Sequence, residues 1–257
     1  MENSGKNVKK SAKKGYRIVF LYALLISVLF ECLVFIHTQI DKVNAILERD
    51  FRIILVTSSN KNVDAIKEAL AGIQGVKEAV FVPSGETLKR IESSDKDLYS
   101  SVATIGKNPI PDIMELEVDQ SVLGNVEDFI DKVIKIDGVI DIKYKMLEAY
   151  ALLHFSFYSN FVSVIISLTG LVVIMIVFMG IMHVGVANFF GSVRNSFKWF
   201  SAGALGSVCA VFFTYTIVYP VKYLSPVWEW PSVAWHVFLV LSCGLLGWVL
   251  YQWKESH

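Results

Sequence analysis

Four apolar runs, Ile18–Ile36, Phe157–Met182, Trp199–Tyr219 and Trp235–Trp253, interrupt an otherwise mixed chain. Each is near or above the ~20 residues that a helix needs to cross ~30 Å of hydrocarbon. One run stands alone, a long polar insert follows, and three runs then come close together. The pattern predicts an α-helical membrane protein with four transmembrane helices in a one-plus-three layout, at 17–39, 154–182, 199–219 and 235–253. The insert, 40–153, is then a domain outside the cytoplasm, and a short outer loop occupies 220–234. A secretory signal has a shorter apolar core and a small-residue cleavage site. The first run leads straight into Ile36-His37-Thr38, so an uncleaved span is expected.

Charge sets the expected sidedness. The tail 1–16 carries Lys6, Lys9, Lys10, Lys13 and Lys14 against Glu2, and Arg17 follows. The loop 183–198 has Arg194 and Lys198 and no carboxylate, and the stub 254–257 has Lys254 beside Glu255. Short loops rich in Lys and Arg stay in the cytoplasm. Both termini and 183–198 are therefore expected inside. The zero net charge hides this partition, because residues 41–150 hold 20 acidic and 14 basic side chains. A mildly acidic outer domain argues against nucleic acid, which is held by Lys and Arg on phosphates. The basic tail suits anionic lipid head groups instead.

Within the insert the period changes. Arg52–Val56 is a β-branched run, Val63–Ile73 repeats apolar side chains at helical spacing, and Ala79–Val82 reads as a strand stopped by Pro83. The pattern then returns. Met114, Leu116 and Val118 alternate with Glu115 and Glu117, and Val126, Phe129, Ile130, Val133, Ile134 and Ile136 form a helical face. Ile140, Ile142 and Tyr144 alternate again. Ile73-Gln-Gly-Val76 and Ile136-Asp-Gly-Val139 are the same joint used twice. Two such units predict an α+β, ferredoxin-like (split βαβ) sandwich. Between them, 84–107 scatters Leu88, Ile91, Leu98, Tyr99, Val102 and Ile105 among charges. A small helical lobe is expected there. Its apolar residues either pin it to the sheet or form an outer-partner surface.

Signals for chemistry are few. Cys32, Cys209 and Cys243 all fall in spans, and neither CxxC nor Cys/His spacing suggests a metal. No phosphate-binding GxxxxGK[ST] loop and no GxSxG or HExxH signature is present. An enzyme is not expected, and no catalytic residue, metal ligand or cofactor is assigned. Glu31 is the strongly ionisable residue inside a span, close to its outer end, where snorkelling or a function are both open. His37, His154 and His183 sit at span ends. Spans two to four are read as offering only Ser, Thr and Tyr as polar groups, which disfavours a solute permease. Ala202, Gly203, Gly206 and Ser207 permit close helix packing, within the chain or between two copies. Trp228, Trp230 and Trp235 read as an outer aromatic belt.

The basic tail, the one-plus-three spans, the repeated βαβ pattern and Asn108-Pro109-Ile110-Pro111 before the 115–118 strand resemble FtsX, the permease-like subunit of the cell-division ABC complex. The resemblance runs over nearly the full length. It implies a multi-pass protein of the bacterial inner membrane, enriched at the septum, with a cytoplasmic FtsE-type ATPase as partner. It also implies an outer domain that recruits or activates a peptidoglycan hydrolase or its coiled-coil activator, and a homodimer. The loop between spans two and three departs from the family: it is short, Asn188 to Lys198, and lacks Glu. Phe190, Val193 and Phe197 nonetheless fall on one helical face, with Arg194 and Lys198 on another. Such a basic amphipathic helix lies on lipid or docks in a partner groove. Together with Phe189, these residues are the candidates for ATPase coupling. A passive scaffold or sensor without an ATPase is the competing reading.

Overall fold

The computed structural model describes residues 2–58, 62–105 and 108–255, with side chains from Gly15 onward except Ala103. The lysines of the tail and the last two residues of the 84–107 lobe therefore lie outside the described side chains. The chain divides into two compact units: residues 1–43 with 157–257, and residues 44–156.

The inserted unit holds a four-stranded sheet. Its strands are β1 (Ile53–Thr57), β2 (Val76–Val82), β3 (Ile113–Val118) and β4 (Val139–Lys143). Helix α1 (Glu2–Asp50) enters the unit, and α2 (Val63–Ala71) joins β1 to β2. Helices α3 (Ser84–Ser94) and α4 (Lys96–Thr104) make the lobe. A short α5 (Gln120–Leu123) and α6 (Val126–Val133) lead to β4, and α7 (Met146–Val184) leaves the unit. Strand order is β2-β3-β1-β4, with every neighbouring pair antiparallel.

Alternation decides which face is covered. Met114, Leu116, Ile53 and Leu55 are fully buried and pack with Ile66 and Leu70 of α2 and Phe129 and Val133 of α6. Leu47 of α1 and Ala149 and Leu152 of α7 join the same core. That is why the unit runs to 156 and not to the expected 153, and why α7 begins at Met146, before its apolar run. Helix α1 likewise continues to Asp50, since 37–50 contains no Gly or Pro to stop it.

Gly75 and Gly138 have φ of +97° and +101°, where a side chain is strained. Around each, the same backbone bonds recur: Ile73 and Val76 donate to Leu70 and Ile73, and Ile136 and Val139 donate to Val133 and Ile136. The two joints are structural twins.

One strand departs from the expected alternation. Ile140 is 63% exposed, whereas Val139, Ile142 and Tyr144 pack on the core. The register shifts between Val56 and Thr57, whose partners are Asp141 and Val139. Ile140 is thus the extra residue of a β-bulge, which resets the phase of the strand.

In the other unit, α8 (Phe189–Asn195), α9 (Phe197–Val218) and α10 (Val233–Glu255) follow α7. Among the described residues, four helical segments are long and apolar enough to cross a membrane: Gly15–Asp50, Met146–Val184, Phe197–Leu224 and Val233–Glu255. Close packing rests on small residues. A Cβ at Gly203 would lie 2.1 Å from the Cys243 carbonyl oxygen of α10, and one at Gly206 would lie 2.6 Å from the Phe20 carbonyl oxygen of α1. The small-residue stripe of α9 therefore packs within the chain, and Ala202 and Ser207 are buried with it.

Candidate functional site

The lobe is a helical pair set off from the core. Asp112 accepts a hydrogen bond at 2.8 Å from the Ser84 amide, which fixes the start of α3 beside the end of the returning chain. Asn108 turns that return, accepting from the Ile110 amide at 3.1 Å just before the second proline. Arg90 reaches Glu115 at 2.9 Å and Glu86 at 3.1 Å. Its guanidinium is held above its ordinary value by the hydrogen bond to Glu86, then by the charge of Glu115, and is a fixed cation. Because Glu115 points away from Met114 and Leu116, this contact sets the lobe by the sheet face opposite the helices.

The six candidate residues of the lobe lie outside the core cluster of the unit. Leu98 is 49% and Ile105 63% exposed, and Leu88, Ile91, Tyr99 and Val102 are half-buried. Their apolar area is therefore left partly to solvent, as a docking surface requires.

The inner loop differs from the expected single helix. A 3-10 turn at Val186–Asn188 precedes α8, which ends at Asn195. Ser196 breaks the helix with φ −98° and ψ 19°, and it is buried. Its hydroxyl donates to the Ser192 carbonyl at 2.9 Å, and its carbonyl accepts from the Trp199 and Phe200 amides. Phe197 and Lys198 thus begin α9 and do not share a helix face with Phe190 and Val193. A serine that both closes one helix and opens the next competes well with helix continuation. Phe189 packs edge-on against Trp248 at 5.1 Å, whereas Phe190 is 82% exposed and Phe197 61% exposed. Val193 is half-buried, and Arg194 and Lys198 are exposed. Behind α8, Ser192 accepts from Trp248 Nε1 at 2.9 Å and Gln252 Nε2 at 2.8 Å. Beside it lies a polar hollow of about 440 Å³ lined by Asn188, Asn195, Gln252 and Glu255 among others.

Glu31 does not snorkel. It is fully buried, and its Oε1 lies 2.8 Å from His236 Nδ1. The polar groups of spans two to four include Asn160, His236 and Gln252 beside Ser, Thr and Tyr, and His236 lies in the first turn of α10. The signal was an ionisable residue inside an apolar run. Trp228 and Trp230 both pack on Phe35, and Trp230 also stacks on Tyr215.

Residues 41–155 match the family model of the FtsX extracellular domain. The chain is FtsX-like. The match spans the sheet unit up to its last residue but one, including the lobe, and begins and ends within α1 and α7. The matched stretch lies between the first and second of the helices long and apolar enough to cross a membrane among the described residues. The curated proteins contain no match to the chain.

Proposed function

We propose that the chain is a transmembrane coupler in cell division. It passes the nucleotide cycle of a cytoplasmic FtsE-type ATPase to an outer domain that recruits or activates a peptidoglycan hydrolase or its coiled-coil activator. The observation that carries this reading is the FtsX extracellular domain at 41–155, placed between the first and second of four helices able to span a bilayer. In this reading those helices are inserted in the inner membrane, with both termini and residues 183–198 in the cytoplasm, following the Lys and Arg asymmetry. The sheet order supports a ferredoxin-like sandwich, since β4-β1-β3-β2 is the split βαβ arrangement. The protein acts as a homodimer at the septum and does no chemistry itself.

Coupling then falls on α8 and the start of α9. Phe190 and Phe197 are the exposed aromatic anchors, and Arg194 and Lys198 are rim charges. Losing a central anchor costs about 2 kcal/mol, roughly thirtyfold in affinity, while a rim charge acts on rate and salt dependence. Phe190→Ala with Phe197→Ala should release the ATPase in mild detergent while leaving membrane insertion intact. Equal recovery by wild type and variant would place both rings on lipid. No recovery by the wild type would favour a passive scaffold.

The outer partner is expected on the lobe. Replacing Leu98, Tyr99 and Val102 with Ser should abolish capture of the hydrolase or its activator. The circular dichroism of the domain should stay unchanged, because none of the three lies in the core. Undiminished capture would assign them to packing.

A further inference from the structure

Gln120, the first residue of α5, bonds to both helices that lead out of the sheet unit. Its Nε2 donates to Glu48 Oε2 of α1 at 3.2 Å, and its Oε1 accepts from Ser156 Oγ of α7 at 2.9 Å. Chemistry fixes which end of the amide faces which helix. A carboxylate only accepts, so the amide nitrogen faces Glu48 and the carbonyl oxygen turns to Ser156. All three side chains are half-buried. The unit runs from Asn44 to Ser156, and beyond both ends the same two helices continue into apolar runs.

Apolar packing alone does not set the register of the two helices. Leu47, Ala149 and Leu152 join the core by contacts without direction, which survive a small slide. A hydrogen bond does not. One residue of axial slip moves a helix by about 1.5 Å, which takes either contact out of reach. Helix α5 is in turn fixed to the start of β2. The Asp119 amide donates to the Gly75 carbonyl at 2.8 Å, and Val122 Cγ2 occupies the space that a Cβ at Gly75 would need. On β2, Lys77 donates to Glu48 Oε1 at 2.9 Å. One carboxylate of α1 thus holds β2 through one oxygen and α5 through the other. At its far end β2 passes through Pro83 straight into α3 of the lobe.

We propose that Gln120 is a positioning residue for coupling: it holds α1 and α7 in one relative register and passes a change of that register through α5 and β2 to the lobe. Displacing either helix breaks one of its two bonds, frees α5 from its seat beside Gly75 and loosens β2, whose far end carries the lobe. The clasp stands on this unit alone. Its use in signalling rests on the coupler function proposed above.

The test uses the full chain in lipid nanodiscs. Neither an ATPase nor an outer partner is present, so a failed pull-down of the ATPase would end the coupler reading without touching this result. Nitroxides on Ala45→Cys and Leu153→Cys, exposed positions of α1 and α7, report the register by pulsed electron resonance, with Cys32, Cys209 and Cys243 replaced by Ser. Gln120→Met keeps the length of the side chain and removes both bonds. Native Gln120 should give one narrow distance distribution, and Gln120→Met a broad or divided one. Amide exchange in β2, α3 and α4 should quicken about tenfold in Gln120→Met, the worth of one to two ordinary hydrogen bonds. Strand β4, at the opposite edge of the sheet, should not change. Glu48→Gln with Gln120→Glu exchanges donor and acceptor across the α1 contact, leaves Ser156 an acceptor, and should restore both readings. Ser156→Ala, a smaller change, should act in the same direction and serves should Gln120→Met not fold. An unchanged distance distribution would overturn the proposal. So would faster exchange that is confined to α5 or equal in β4, or an exchange variant whose distribution stays broad.

Discussion

Leu116→Asp will unfold the sheet unit. Leu116 is fully buried at the centre of the sheet, opposite Ile53 on one side and Ala79 on the other. An unpaired carboxylate there costs several kcal/mol against a total of about 5–15 kcal/mol for a domain. The next residue, Glu117, faces the other way and makes a half-buried bridge to Arg52 at 3.1 Å. Glu117→Gln should therefore change stability by no more than about 1 kcal/mol. Circular dichroism of residues 44–156, and limited proteolysis of the full chain, compare the two. The fragment must include Leu152, which is 1% exposed. A Leu116→Asp domain that melts like its parent would reverse the assignment of the covered face.

Gly203→Val will separate α9 from α10. The obstacle at Gly203 is backbone, the Cys243 carbonyl group, which cannot rotate aside as a side chain would. Overpacking a tight contact commonly costs 1–3 kcal/mol, and a backbone clash belongs at the upper end, about 5–10 °C in melting temperature. Leu205→Val on the same helix is the control, since Leu205 is 56% exposed. Thermal unfolding in detergent should show a large fall for the first and little for the second. Similar melting of both would mean that α9 and α10 do not approach along this stripe.

The sheet unit was largely legible because its signals are local. Alternation at 114–118 and helical spacing at 126–136 each report a buried face from neighbours in sequence. The joints at Gly75 and Gly138 were readable because a positive φ asks for glycine. Ile140 was misread, since a bulge moves the phase by one residue without changing the composition. The inner loop failed for a related reason. Phe190, Val193 and Phe197 fit a helical period, and the break depends on where the Ser196 hydroxyl finds a carbonyl. Glu31 was noticed as a span carboxylate, but its partner lies 205 residues away. A single span shows the unpaired charge; the fold supplies the imidazole. Among the candidates for coupling and capture, exposure could not be read from spacing either, because Phe189 and Phe190 are adjacent and meet opposite surroundings.

The bond from Ser84 to Asp112 has a consequence for how such a domain can change. It closes the lobe at its neck, so the sheet holds the two ends of the excursion, with the Arg90–Glu115 bridge as a further contact. Doubling the length of a flexible loop costs roughly 0.6 kcal/mol in closure entropy. Insertions and deletions between residues 85 and 111 should therefore be nearly free for the sandwich. The twin halves can stay fixed while the intervening helices are rewritten, so that the specificity of the outer surface can drift to a new partner without the fold being found again.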